Sequence, residues 1–471
     1  MISKSFFKKI RKEIIGLNKK VPLLDGRHRK YINLDNGAST PSFRQVFSKM
    51  REFLNWYSNV HRGSGFKSRL STEVYDKSHS LVFEFLNGNF DDNTIIFVKN
   101  ATEGINKIAN TLEVKEDEII ISSLMEHHSN ILPWRKKGKL LYVGLTDEGR
   151  LDLEDLESKL KEHRDKVKLV AISGASNVTG IINPIYKIAK LSHQYGAKIL
   201  VDAAQLIPHR QIDVKSNDHP EHIDLLVFSA HKLYAPFGTG VIFAPKKFFK
   251  DNEPDYSGGG TVKVVTLEDV IWANLPDKEE AGTPNIVGAF ALSESIKTLN
   301  RLGWDNIIGA ESLLTDYTLR QLQKIPQVQL YCNMDKKVPQ DHLAVIPFNI
   351  KGIDHSLVAA ILADEYGIGV RNGCFCAHPY INHLLDIGPD EAEEFKERAF
   401  KGDYSDKPGL VRISFGCYNN LHEVKYLIKA IKEIIARHKK GEDLSSNYKF
   451  DENKGEYKSV NKIDFNRYFK F

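Results

Sequence analysis

The sequence predicts an α/β fold, a mostly parallel sheet flanked by helices, with a smaller α+β unit in its C-terminal part. Three observations carry that prediction. Between about residues 90 and 245, short apolar runs alternate with stretches whose apolar residues recur at helical spacing. Polar and charged residues cluster immediately after several of those runs. Beyond about residue 300 the alternation stops, and strand-like runs and helices no longer take turns.

Taken in order, MISKSFFKKIRKEIIGLNKK threads charges through its apolar residues, which predicts a short amphipathic helix in an N-terminal extension over residues 1–30. A large domain follows over residues 31–300. Its strands are expected at TIIFV (94–98), EIIIS (118–122), LLYVG (140–144), LVAIS (169–173), KILVD (198–202), DLLVF (224–228) and GVIFA (240–244). These runs are continuous in apolar residues, as strands covered by helices on both faces must be. ATEGINKIANTLE and PIYKIAKLSHQYG supply helical patterns between them. An α+β domain is expected over residues 301–437, with strands in QVQLYCNM, HLAVIPFNI and VRISFGCYN and helices in SLVAAILADEYG and HEVKYLIKAIKEIIARH. The polar segment over residues 438–471 reads as a flexible tail or as an arm packed on a partner.

Composition narrows the function classes. The 471 residues are 41% apolar and 27% charged, the profile of a globular protein with a full core. A net charge of +5, from 66 basic and 61 acidic residues, is too mild to argue for nucleic acid. No apolar stretch is long enough for a membrane span, and the charged N-terminus does not read as a secretory leader, so a cytoplasmic location is expected. The four cysteines, Cys332, Cys374, Cys376 and Cys417, are too few for a disulfide framework. Cys374, Cys376 and His378 give only three of the four ligands a structural zinc needs, so no metal is expected there.

In open α/β sheets, ligands collect in the crevice beyond the carboxyl ends of the strands. After TIIFV come Asn100, Ala101, Thr102, Glu103 and Gly104, opening a helix. After EIIIS come Glu126, His127, His128, Ser129 and Asn130, and after LVAIS come Ser176, Asn177, Thr179 and Gly180. KILVD ends on Asp202 and runs into Gln205, while DLLVF is followed by Ser229, His231 and Lys232. Singly these are ordinary: Thr102 a helix cap, Asp202 a strand end, His127 a solvated loop residue, Lys232 a surface amine. Clusters at five strand ends describe one polar crevice instead.

An amine, an acid, an imidazole and a helix N-terminus together suit a cofactor with an aldehyde, a ring nitrogen and a phosphate. Pyridoxal 5′-phosphate (PLP) uses all four. The glycine-rich turn SGGGTVK (257–263) is a weaker phosphate cradle, because no strand-to-helix context surrounds it.

Over roughly residues 30 to 435 the chain resembles class V, fold-type I PLP enzymes, closest to the group II cysteine desulfurases and selenocysteine lyases. The resemblance rests on YINLDNGAST, NVHRGSG, NATEGIN, MEHHSNILPW, SNVTG, VDAAQ, SAHKLYAPFGTG, EAGTPN, VRNGCFCA and VRISFGCYN, in the family's order. It implies that Lys232 binds the cofactor covalently, that His127 stacks on its ring and that Asp202 pairs with the ring nitrogen. Asn177 and Gln205 would serve the ring oxygen. Ala101, Thr102, Ser229 and His231 would hold the phosphate, with Thr283 reaching in from a second subunit, which implies a homodimer. Arg412, assisted by Arg371, would grip the substrate carboxylate. Cys376 falls on the nucleophilic cysteine, which would take sulfur from L-cysteine as a persulfide, release alanine and pass the sulfur to an acceptor protein or a reductant.

The residues around Cys376 bear on that last role directly. VRNGCFCAHP places a glycine and an arginine upstream of the thiol, a setting that favours a thiolate. Cys417 and Cys332 read as structural. Two features depart from the group II pattern. Cys374 and Phe375 stand where two histidines usually precede the nucleophile, and R-x-G-C-F-C is similar to the desulfurase domain of molybdenum-cofactor sulfurases. The 36 residues from Cys376 to Arg412 include an acidic helix, GPDEAEEFKERAF, that lengthens this segment. Alternatives therefore stand beside the desulfurase: another class V reaction (carbon–sulfur lyase, selenocysteine lyase, aminotransferase or epimerase), or a silent scaffold, against which the retained Lys232, Asp202 and Arg412 argue.

Overall fold

In a computed structural model, which describes residues 4–61, 63–331, 342–461 and 463–470, the apolar runs between residues 93 and 245 pair into one sheet. Its strands are β1 (Asn93–Val98), β2 (Ile119–Ser123), β3 (Lys139–Val143), β4 (Val167–Ser173), β5 (Lys198–Asp202), β6 (Leu225–Ser229) and β7 (Gly240–Pro245). The spatial order is β1-β7-β6-β5-β4-β2-β3. Strands β3, β2, β4, β5 and β6 run parallel, whereas β7 is antiparallel to both β6 and β1. The expected strand–helix alternation thus holds between β1 and β2, β3 and β4, and β4 and β5, whereas β2–β3 is joined with only 3-10 turns, β5–β6 with no helix, and after β6 the strand direction also reverses. A parallel return from β6 would need a crossover of about a dozen residues. Residues 230–239 carry only one short turn of 3-10 helix, so the chain reverses.

That reversal positions the crevice. Gly240 pairs with Ser229 on one side and with Val98 on the other, so the carboxyl ends of β6 and β1 finish at the same level. A Cβ on Gly240 would lie 2.6 Å from Asn100 Cα, so only glycine allows the start of the next helix this close. That helix, Ala101–Thr111, is capped by Asn100, whose side chain accepts from Glu103 N–H at 2.9 Å. The cap is therefore Asn100, which leaves Thr102 for other work. Ile105 and Ile108 of the helix are buried with Leu169, Leu200, Val227 and Ile242 of the sheet. Each such side chain contributes roughly 1.5–3 kcal/mol by leaving water.

The chain divides into two units, Met1–Ile15 with Gly37–Ala310, and Gly16–Asn36 with Glu311–Phe471. The amphipathic N-terminal helix, Lys4–Glu13, lies in the first. Residues 16–36 belong to the second because Ile32–Asn33 pairs in parallel with Ile368–Gly369 and Asp35 bridges to Ser414.

The second unit holds an antiparallel sheet of β8 (Val328–Leu330), β9 (Val345–Ile350), β10 (Arg371–Gly373) and β11 (Leu410–Ser414), in the order β8-β9-β11-β10. Strand β8 stops at Leu330, and Cys332 lies outside the described residues. The helix Leu421–Lys439 opens on a capping box of Asn420 and Glu423. Within residues 438–471, Tyr448–Asp451 and Glu456–Ser459 form a hairpin. Tyr457 N–H donates to Ser356 Oγ at 3.1 Å, and Tyr448 Oη donates to Glu365 Oε1 at 3.2 Å. Arg437 holds the other Glu365 oxygen at 2.6 Å. The scattered aromatics of this segment are what lets a polar stretch pack. Among the described residues no helix is long and apolar enough to cross a membrane.

Candidate active site

Lys232 closes the short 3-10 turn Ala230–Lys232 at the end of β6. The turn is held from several sides. Ala230 N–H donates to Thr239 O at 2.8 Å, and Thr40 donates to His231 O through both its N–H and its hydroxyl, each at 3.0 Å. Tyr234 N–H returns a bond to Thr40 Oγ1 at 2.8 Å, and the Tyr234 ring stacks on Phe43 with centroids 4.5 Å apart. Tyr234 adopts φ +60°, a left-handed conformation costly for a bulky residue, which these contacts hold in place. Lys232 Nζ donates to Gln205 Oε1 at 3.2 Å.

Asp202 ends β5 and is 6% exposed. Burial raises its carboxyl above the usual range, opposed by the Ala204 N–H, which donates to Oδ1 at 3.0 Å, and by the Lys232 charge. His231 is pushed down to about 4, chiefly by burial and then by Lys232, so its ring is neutral at neutral pH. The amine, the acid and the amide of Gln205 therefore form one group.

A second group gathers at the start of the helix Ala101–Thr111. Ala101 N–H donates to Ser229 Oγ at 2.8 Å, tying the helix to the end of β6. Thr102 Oγ1 and Ser129 Oγ lie 2.7 Å apart. His127 Nδ1 accepts from Ser129 N–H at 3.1 Å, which places the proton of the neutral ring on Nε2. Hydroxyls and N–H groups at a helix N-terminus form an anion site. Asn177 is buried in the Ser176–Thr179 turn, in which Ser176 Oγ accepts from the Val178 and Thr179 N–H groups, each at 3.1 Å. Thr283 is exposed and lines a cavity of about 600 Å³ with Lys99, Glu103, Thr239 and Tyr256.

The sequence reading gave Glu126 no role, although it stands beside His127. It is fully buried and accepts from Ser123 Oγ at 2.5 Å, Ser173 Oγ at 2.6 Å and Asn130 Nδ2 at 2.7 Å. Burial outweighs these bonds and raises its carboxyl to about 7. It braces the His127 turn against β4. A lone acid behind an apolar run carries no periodic signal that would mark it.

In the second unit, Arg412 on β11 and Arg371 on β10 are register partners. Asp35 stands between their charges: Oδ1 meets Arg412 Nη2 at 3.0 Å and Oδ2 meets Arg371 Nη2 at 2.9 Å. Two cations against one anion leave one positive charge, suited to a carboxylate. The Arg412 side chain is 3% exposed and lies 4.9 Å over the Phe375 ring. Asp35 is the second residue given no role by sequence, and its partner Arg412 is 377 positions away.

Cys374 and Cys376 differ sharply. Cys374 is buried, its thiol donates to Pro408 O at 2.8 Å, and burial pushes it up to about 11. Cys376 is exposed, free of any disulfide and near enough to Arg412 for their charges to interact. Phe375 and Cys376 have φ +50° and +56°, two successive left-handed residues that turn the Cys376 side chain outward. Cys417 is buried, in keeping with a structural role.

Residues 32–427 match the family model described as aminotransferase class-V. The chain is 35% identical over 430 residues to a probable cysteine desulfurase of Pyrococcus abyssi, covering 89% of this chain and 97% of that protein. It is also 35% identical over 411 residues to a cysteine desulfurase of Shigella sonnei, covering 85% and 92%. The apo structure of a cysteine desulfurase from Thermococcus onnurineus superposes with a TM-score of 0.78 at 32% identity, covering 93% of this chain and all of that one.

Proposed function

The chain belongs to the aminotransferase class-V family, and from that membership we propose that it is a cysteine desulfurase, converting L-cysteine to L-alanine and taking the sulfur onto Cys376. The observation that carries this reading is the exposed Cys376 thiol beside the Arg412–Asp35–Arg371 cluster, with the neighbouring Cys374 buried and its thiol pushed up to about 11.

Members of this family work with PLP, and the Lys232 group suits it. Lys232 offers an amine to the aldehyde, and the helix start at Ala101 and Thr102, with Ser229 and His231, offers donors to the phosphate. A carboxylate as buried as Asp202 is costly unless a cation meets it, which a protonated ring nitrogen provides. His127 would pack on the ring face, and Asn177 and Gln205 would donate toward its oxygen. When bound, PLP supplies an electron sink for the charge left at the substrate Cα.

The chain's own residues do the rest. Arg412, with Arg371, binds the substrate carboxylate. Lys232 Nζ takes the Cα proton and returns a proton to the product. Cys376 Sγ attacks the substrate sulfur: the S–S bond forms, the C–S bond breaks, and its electron pair stays with carbon, which is protonated and leaves as alanine. The persulfide sulfur then passes to an acceptor protein or a reductant. Thr283, exposed and outside both polar groups of its own chain, serves the phosphate end of a second copy in a cytoplasmic homodimer.

The test is turnover of L-cysteine by the PLP-loaded protein, with alanine and sulfide both measured. Equal alanine and sulfide are expected from the parent in the presence of a reductant, and neither from Cys376→Ala. A Cys376→Ala variant that makes both as fast as the parent overturns the reading in favour of a carbon–sulfur lyase.

A further inference from the structure

At the amino ends of β5 and β6, on the opposite edge of the sheet from Lys232, three side chains converge. His193 lies in the last turn of the helix Ile185–Gln194, His222 precedes β6 by a short loop, and Asp224 stands immediately before β6. His193 Nε2 lies 2.8 Å from Asp224 Oδ2, and His222 Nε2 lies 3.5 Å from Asp224 Oδ1. The two imidazoles stack with centroids 4.1 Å apart and planes 16° from parallel. All three ligand atoms lie within 4.8 Å of one another, a spacing found in no other group of three His, Cys, Asp or Glu among the described residues.

The other ring nitrogens narrow what these groups can hold. His193 Nδ1 lies 3.0 Å from Pro220 O, and His222 Nδ1 lies 2.7 Å from His219 O. A backbone carbonyl only accepts, so each Nδ1 carries a proton and each neutral ring presents the Nε2 lone pair to the carboxylate. Lone pair against carboxylate is repulsive; one ring can relieve it as an imidazolium that donates to Asp224, but a second would repel the first across the stack, so without a metal one Nε2 lone pair still faces the carboxylate. One divalent cation shared by both Nε2 atoms and the carboxylate removes both conflicts. An imidazole whose second nitrogen donates to a backbone carbonyl is also the arrangement that orients histidine toward a metal. Tetrahedral zinc, with bonds of about 2.0–2.1 Å, separates its ligands by about 3.3 Å, close to the spacing here.

We propose that His193, His222 and Asp224 form a binding site for a divalent ion of the zinc class, which staples the helix Ile185–Gln194 to the amino ends of β5 and β6. Two nitrogens and one oxygen select a borderline ion over calcium or magnesium. The imidazoles are 19% and 17% exposed, so water completes the coordination. Asp224 Oδ2 also accepts from Ile199 N–H at 2.9 Å, which fixes the carboxylate to β5. Lys198 Nζ lies 3.9 Å from Oδ1 but is 41% exposed, so it can turn to solvent when the ion enters. About 17 Å of strand, the length of β6 at 3.3 Å per residue, separates this site from the Lys232 end, which makes its role structural.

The test uses the full-length, PLP-loaded protein, stripped of metal with a chelator and equilibrated with excess Zn²⁺. Bound zinc is measured by elemental analysis and the unfolding midpoint by scanning calorimetry. The parent is expected to take up one equivalent more than His193→Gln or His222→Gln, and its midpoint to rise with Zn²⁺ while theirs does not. Cysteine turnover stays unchanged in both variants. A parent that binds no zinc overturns the proposal whatever the variants do. Variants that bind as much zinc as the parent overturn it as well, by placing the metal elsewhere.

Discussion

Arg371 and Arg412 face each other across β10 and β11 as direct register partners, two like charges that Asp35 holds together with one carboxylate oxygen each. Like charges opposed across a sheet repel, and Arg412 is almost wholly buried. Asp35 is what makes the pair tenable. Asp35→Asn is expected to lower stability by about 3 kcal/mol, as breaking a buried pair does. It should also raise KM for L-cysteine about tenfold, equivalent to about 1.4 kcal/mol of lost carboxylate binding. Denaturant unfolding and steady-state kinetics measure the two effects; an unchanged KM would show that Asp35 does not orient the arginines.

The two neighbouring cysteines separate by chemistry. With its thiol near 11, Cys374 has about one part in a thousand as thiolate at pH 8. Brief alkylation of the native protein at pH 8, read by peptide mass spectrometry, should label Cys376 well before Cys374 and Cys417. Cys374→Ser should keep sulfide production and Cys376→Ser should lose it. Equal labelling of Cys374 would remove the distinction on which the choice of nucleophile rests.

Glu126 carries a pH signature. Its carboxyl rises from 4.5 to about 7 on folding, so between those values the folded protein holds a proton that the unfolded chain has lost. Its contribution to stability is full below about pH 4.5, falls as pH rises toward 7, and is flat above. The change is about 3 kcal/mol in all. Glu126→Gln keeps hydrogen-bonding groups toward Ser123, Ser173 and Asn130 without the charge. It should match the parent near pH 5 and exceed it at pH 8 by about 1–3 kcal/mol. Chemical denaturation at the two pH values tests this, and identical pH slopes for the two proteins would refute it.

Gly240→Ala tests how closely β7 meets the helix start. The added Cβ would lie 2.6 Å from Asn100, backbone that cannot yield cheaply. A loss of about 1–3 kcal/mol is expected from overpacking. The shift also pulls Ala101 N–H away from Ser229, so PLP affinity, followed by absorbance during dialysis, should fall with it. Unaltered retention of the cofactor would detach this contact from phosphate binding.

Much of this was legible in the chain itself. The seven apolar runs became the seven strands within a residue or two at most ends, and KILVD over Lys198–Asp202 at both. Short, continuously apolar segments between amphipathic helices have few other ways to bury themselves. The polar clusters after them sit at strand ends for the same reason, so Lys232, Asp202 and Thr102 could be picked out before any contact was known.

What the sequence by itself determined, then, was which residues are buried in strands and which stand at their ends, because burial follows a local period. Only the tertiary structure decided pairing and partner: the antiparallel turn of β7, Asn100 rather than Thr102 as the cap, Glu126 against β4, and the hairpin within the polar tail. It also decided that Asp35 reaches Arg412 across 377 residues and that one cysteine of two is buried. Those outcomes depend on register and on neighbours distant in the chain, and no local pattern of side chains records either.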